Sequence, residues 1–329
     1  MGGTQFSKIT HIKKRSFSES RSKCEKSSSS SLHTKSSSNP SNMLLEIPNS
    51  SNNVLATQQP LTSEEIDRLQ QLHYTWRWLW ETNYSSPVEK LLQRKRNVRV
   101  LDVGCGPGVW TLEMASEYPN VEFYGVDTFE SFPAEIKPAN VFFYKTPFFV
   151  NLPFDSEFFD FIVIRNLNSV LTVQDWSENV FKELVRVLKP GGIVESQESV
   201  WNVNTMGPSF NLLANTYNSM LESKNIDLAI AKRIPEFMKN TKCLTNIVEL
   251  KKSHPLSSQE GGNPKLAESF QQIAYSGFKV LKPILLPQLR TNSKTYDNLV
   301  TNIRSEFARD QYSEVVLYRT FAQKVSVPF

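Results

Sequence analysis

Cysteine and histidine are scarce. Cys24, Cys105 and Cys243, with His11, His33, His73 and His254, are scattered over 329 residues. None share the spacing of a zinc site, so no metal is expected. Three isolated cysteines also fit a reducing compartment better than a disulfide framework. No apolar run approaches the ~18 residues of a membrane span, and no apolar segment follows the basic N-terminus to form a secretory signal. The expected location is therefore cytoplasmic, with the nucleus as the alternative. A nucleophile elbow for Ser-His-Asp chemistry is missing too.

Excess charge of one sign is lacking outside the N-terminus. Residues 1–60 hold eight Lys and Arg against three acids, whereas the remainder holds 29 against 30. The basic balance belongs to the tail, and the rest of the chain carries no electrostatic sign of nucleic-acid binding. The tail itself lacks a periodic apolar face. Ser, Asn, Lys and Gln dominate it, including SSSSS at 27–31, so it is predicted to be disordered. Its Met-Gly start resembles a myristoylation signal, but Phe6 stands where Ser or Thr is wanted and Ser7 comes one place late. A flexible basic tail is the favoured reading over a membrane contact.

Order is expected from residue 61. Thr62 followed by Glu65 supplies capping chemistry, and Ile66, Leu69, Leu72, His73, Trp76 and Leu79 recur at helical spacing. From Val98 short apolar strands alternate with helices: VRVLDVG, a helix over Val109–Glu117, VEFYGVD, NVFFY, FDFIVI, a helix over Trp176–Leu188, then GGIVESQE. Such alternation predicts parallel strands joined by crossovers in an open, doubly wound sheet. Ligands of such sheets sit at the carboxyl ends of the strands. Residues 207–250 read as helices, and GFKVLKPILL, a helix across Thr295–Phe307, and VVLYRTFAQKV would close the sheet as strand, helix and strand.

Only 12 glycines are present, yet Gly104, Gly106 and Gly108 crowd one turn, VRVLDVGCGPGVW. They permit positive φ and close ligand approach. The dinucleotide fingerprint is G-x-G-x-x-G/A with phosphate on backbone amides. Here the last small residue is replaced by Val109, and Pro107 has no amide to give, which disfavours an NAD-dependent oxidoreductase. D-x-G-x-G-x-G, with Asp102 two places before the first glycine, instead resembles motif I of the class I S-adenosylmethionine-dependent methyltransferases. VEFYGVD then ends in Asp127, about 20 residues on, where a carboxylate accepts from ribose hydroxyls.

The resemblance extends over NVFFYKTPFFVNLPFDSEFFDFIVIRNL and ELVRVLKPGGIVESQE. Residues 66–205 are most similar to fungal LaeA-like methyltransferase-domain proteins, through IDRLQQLHYTWRWLW, GVWTLEMASEYPNVEFYGVD and FDFIVIRNLN. It implies an α/β, Rossmann-like, doubly wound fold: a seven-stranded, mostly parallel sheet with an antiparallel edge strand. A helical lid is implied from the first helix and an insertion over about 205–260. S-adenosyl-L-methionine is the implied cofactor. Asp102, Gly104, Cys105, Gly106 and Gly108 would hold its methionine end, Asp127 its ribose, and Thr128 the border of its adenine. Arg165 and Asn166, closing FDFIVIRN, would line the site, and Tyr74 would close over the methionine end. The acceptor would be a small molecule or a peptide.

One position departs from the family. Thr146 and Pro147 stand where an acid and a backbone amide usually read the adenine, leaving a hydroxyl, the amide of Phe148 and nearby aromatics. That departure, with the LaeA-type resemblance, supports the alternative of a degenerate, non-catalytic regulator or scaffold that acts through a protein partner. Glu195 and Glu198 read as paired edge residues before they read as pocket acids, and His73 as packed core. The methyl acceptor itself is not identified by these motifs, nor is a catalytic residue.

Overall fold

The computed structural model describes residues 61–94, 97–147, 151–203, 206–257, 262–309 and 312–326. All of them lie in the compact unit Ser36–Phe329; the tail expected over 1–60 lies outside the described residues. In chain order the elements are α1 (Ser63–Trp80), α2 (Glu89–Leu92), β1 (Arg99–Val103), α3 (Val109–Glu117), β2 (Glu122–Asp127), β3 (Val141–Lys145) and β4 (Phe159–Arg165). A π-helical segment, Asp175–Val180, runs into α4 (Phe181–Val187), followed by β5 (Leu188–Asn202) and α5 (Pro208–Glu222). A 3-10 turn at Ile230–Arg233, α6 (Ile234–Asn240), β6 (Leu244–Pro255), α7 (Pro264–Val280), α8 (Lys282–Leu289), α9 (Ser293–Phe307) and β7 (Glu314–Lys324) complete the chain.

The seven strands form one sheet in the order β3-β2-β1-β4-β5-β7-β6. β3, β2, β1, β4 and β5 pair in parallel, and β7 runs antiparallel to both β5 and β6. The order reverses between β1 and β4, so the crevice at their carboxyl ends is the switch point of the sheet. Parallel strands covered on both faces must be apolar throughout, and β1 is buried along four of its five residues. Neighbours alternate between faces: Val100, Phe123 and Phe161 pack with Trp110 and Met114 of α3. Leu101, Tyr124 and Ile162 pack on the other face with Trp176, Leu184 and Phe237.

A third core is helical. Leu72, Trp76 and Trp80 of α1 join Phe210, Phe270, Leu285 and Ile303 from α5, α7, α8 and α9, closing over Val315 and Leu317 of β7. Capping follows the sequence: Thr62 Oγ1 accepts from the Glu65 N–H at 3.3 Å, and Asn263 and Asn292 cap α7 and α9.

Two expectations are corrected. The sixth strand is Leu244–Pro255, in a region read as helical, whereas GFKVLKPILL is the end of α7 and most of α8. Pro283 sits in the first turn of α8, and Phe278 of α7 and Leu285 of α8 are buried in the same helical core. β6 was hidden because only β7 flanks it, which leaves seven of its twelve positions exposed. The segment 205–260, expected as one helical insertion, is divided. α5 joins the helical core, while the Ile230–Arg233 turn, α6 and β6 build on the sheet. Among the described residues no helix is long and apolar enough to cross a membrane, and no His, Cys, Asp and Glu group is placed to hold a metal.

Candidate functional site

Gly104, Gly106 and Gly108 join β1 to α3 with φ of +69°, +53° and +76°, the left-handed region that favours glycine. The N–H groups of Gly104 and Cys105 both donate to Val126 O, at 2.9 and 3.0 Å, tying the turn to the end of β2. The three glycines differ in what surrounds them. A Cβ on Gly104 would meet Leu167 Cδ2 at 2.7 Å and one on Gly108 would meet Phe143 Cζ at 2.5 Å, so those two make room for the protein itself. Above Gly106 the nearest atom is Leu69 Cδ1 of α1 at 3.8 Å. A Cβ there would make only an ordinary contact, so of the three glycines Gly106 is the one not crowded by its neighbours.

Asp127 ends β2 beside this opening. Its Oδ2 accepts from the Gly106 N–H at 2.8 Å and its Oδ1 from the Phe129 N–H at 2.9 Å. Burial raises the carboxyl above its ordinary value, and Asp102 adds to this while the backbone donors oppose it. Each oxygen has a second lone pair for a hydroxyl donor. Thr128, half-buried, follows directly. The Thr146 N–H donates to Asp127 O at 2.9 Å, which brings the atypical residue to the same edge. Its hydroxyl contacts its neighbour's carbonyl, Pro147 O, at 3.5 Å. Phe148 lies outside the described residues.

Asp102 is 1% exposed. Its Oδ2 accepts from Thr111 Oγ1 at 2.7 Å, but Oδ1 has no hydrogen bond and lies 3.7 Å from Arg165 Nε. Cys105, buried next to it, has its thiol pushed well up by burial and by the charges of Asp102 and Asp127, which favours the thiol over the thiolate. Asn166 turns the chain out of β4 at φ +56°, its N–H donating to Gln197 O at 3.0 Å.

α1 crosses this edge. His73 Nε2 meets Glu113 Oε2 at 2.6 Å, and Arg77 Nε meets Glu113 Oε1 at 2.7 Å, so Glu113 of α3 clamps the helix down. Burial holds His73 below its ordinary pKa although Glu113 favours the charged form. Tyr74, expected over the methionine end, is 55% exposed, its ring against that of His73. A helix that buries Leu72, Trp76 and His73 turns Tyr74 outward.

The two acids of β5 prove to be structural. Glu195 accepts from the N–H groups of Ser85 and Ser86 and from Gln197 Nε2, at 2.7–3.1 Å. Arg319 of β7 lies beside it and donates to Thr82 Oγ1, Thr82 O and Ser85 Oγ. Trp110 Nε1 and Gln197 Nε2 both donate to Asn83 O. The segment after α1 is thus pinned to the sheet by side chains that sequence reasoning missed. Arg319 pairs with a residue 124 places away, and no local pattern encodes that.

Glu198 accepts from the N–H groups of Leu167 and Asn168 at 3.0 and 3.1 Å. Burial pushes its carboxyl up to about 8 from an ordinary 4.5. The folded state therefore holds this proton more tightly than the unfolded chain. The stabilisation is complete below pH 4.5 and is lost as the pH rises through about 8. Melting temperature should fall across that window, and Glu198→Gln should flatten the slope; parallel pH profiles for the two proteins would rule the assignment out.

Residues 100–192 match the methyltransferase domain family. Over 143 residues the chain is 32% identical to the secondary metabolism regulator laeA of Coprinopsis cinerea, covering 42% of this chain and 34% of that protein. It is 30% identical over 141 residues to the protein-methionine methyltransferase laeA of Emericella nidulans, covering 42% and 35%. The match thus spans about a third of the length of these curated relatives. Among solved structures, Haemonchus contortus phosphoethanolamine N-methyltransferase 2 in complex with phosphomonomethylethanolamine and S-adenosylhomocysteine is 20% identical. Its TM-score is 0.45, with 81% of this chain and 61% of that one covered.

Proposed function

We propose, for a chain that carries a class I S-adenosylmethionine-dependent methyltransferase domain with LaeA-like relatives, that residues 61–329 transfer a methyl group from S-adenosylmethionine to a small-molecule or peptidic acceptor. The observation that carries this reading is the opening at Gly106, whose amide is held by the Asp127 carboxylate at the switch-point edge of the sheet. The residues fit the cofactor. Gly106 is uncrowded on its outer side, and Asp102 Oδ1 is a buried acceptor short of a donor, as an ammonium would require.

When bound, S-adenosylmethionine supplies a methyl group already activated by its positive sulfur, so a displacement needs position more than general catalysis. The chain's part is to hold and enclose. Asp127, fixed by the amides of Gly106 and Phe129, accepts from ribose hydroxyls, and Asp102 takes the ammonium. Thr128 and Thr146 border the adenine. Leu69 of α1 closes over Gly106, and the helical core of α1, α5, α7, α8 and α9 shapes the acceptor's entry.

A second reading rests on Thr146, which gives the adenine a hydroxyl where the family gives a carboxylate: a regulator that binds cofactor without turnover and acts through a protein partner. Calorimetric titration with S-adenosylmethionine, S-adenosylhomocysteine and NAD tests the assignment. The first two should bind and NAD should not. Binding of NAD alone would sink the methyltransferase reading. Cofactor binding without labelled methyl transfer into fractionated cell extract would favour the regulator.

A further inference from the structure

Arg165 is 9% exposed and makes no hydrogen bond among the described residues; its Nε is enclosed without a partner. This is unusual. A guanidinium presents five donors in a planar fork, and burying it without hydrogen-bond partners is costly unless something else meets it. What surrounds it is the face of Trp110, 5.5 Å from the guanidinium carbon, and Asp102, whose nearer oxygen at 3.7 Å is too far for a hydrogen bond and is itself without one. Two opposite charges thus stand side by side, each short of a partner.

Their place in the sheet is the switch-point edge. Asp102 pairs in register with Val163, so Arg165, two residues on, projects from the same face of the sheet and one step nearer the carboxyl end. Both flank the glycine turn. The charged or titratable neighbours are engaged elsewhere: His73 by Glu113, Arg319 by Thr82 and Ser85, Glu195, in register with Val163, by the amides of Ser85 and Ser86, and Glu198, whose carboxyl feels the Arg165 charge, by the amides of Leu167 and Asn168.

We propose that Arg165 receives a carboxylate, the one beside the ammonium at the methionine end, so that Asp102 and Arg165 together recognise the two charges of an α-amino acid. The inference rests on the S-adenosylmethionine reading of the site. A carboxylate accepts two donors from the fork of an arginine. A lone ammonium would satisfy Asp102 and leave Arg165 facing a second cation. A phosphate would face Asp102 as a like charge. A zwitterion meets both requirements.

The test compares S-adenosylmethionine with its decarboxylated form, which keeps the ammonium and sulfonium and lacks only the carboxylate, by calorimetry on the full chain. Wild type should bind the carboxylate-bearing compound about tenfold or more tightly. Arg165→Met should erase that preference while affinity for the decarboxylated compound changes little, and Arg165→Lys should keep part of it. Equal affinity of wild type for both compounds, or an equal loss for both in Arg165→Met, would overturn the proposal while leaving the cofactor assignment standing. If wild type binds neither compound, both fail. The wild-type comparison needs no variant to fold.

Discussion

Replacing Glu195 by Ala is expected to destabilise the fold by about 3–5 kcal/mol, the usual cost of removing one partner from a buried charge pair. Glu195 is fully buried and accepts from two backbone amides and one side-chain amide, with Arg319 beside it at 1% exposure. Burial lowers Arg319 to about 10, so it stays charged at neutral pH. The substitution strands that cation and unpins the Thr82–Ser86 segment that follows α1. Urea denaturation should report the loss as a lower midpoint. The double substitution Glu195→Ala with Arg319→Met should recover part of it, because no buried charge is then left alone. A loss below about 1 kcal/mol, the level of a surface pair, would show that the two do not form a buried unit.

Asp127→Ala is expected to weaken S-adenosylmethionine binding by about 1–3 kcal/mol, roughly five- to 150-fold in Kd. Two effects add. The ribose hydroxyls lose their acceptor, and Gly106 loses the carboxylate that holds its amide at 2.8 Å. Asp127→Asn keeps one acceptor oxygen and should fall between the two. Calorimetric titration checks the order. Unchanged affinity in Asp127→Ala would remove the ribose assignment. A large loss of melting temperature without a loss of affinity would make Asp127 a brace of the turn alone.

Parts of the site were legible because their requirements are local. Three glycines at alternate positions are there because each adopts positive φ within one turn, and a strand ending in Asp127 puts that acid at the carboxyl edge wherever the sheet is parallel. Helix α3 coincides with the predicted Val109–Glu117 for the same reason: its start and stop are local. The outward position of Tyr74 was not legible, because the sequence shows that a helix has an aromatic face but not which face its neighbours cover. β6 escaped notice because a strand with one neighbour has little apolar patterning to show.

By itself, the sequence determined the alternation of strands and helices, the glycine turn, the two aspartates and the departure at Thr146. These depend on residues within a few turns of one another. Only the tertiary structure decided that Glu195 and Glu198 brace loops rather than line a pocket, that Gly106 alone of the three glycines stands open, and that Asp102 meets Arg165. Each of these rests on pairing between distant strands, where the balance between burial and hydrogen bonding is set by register.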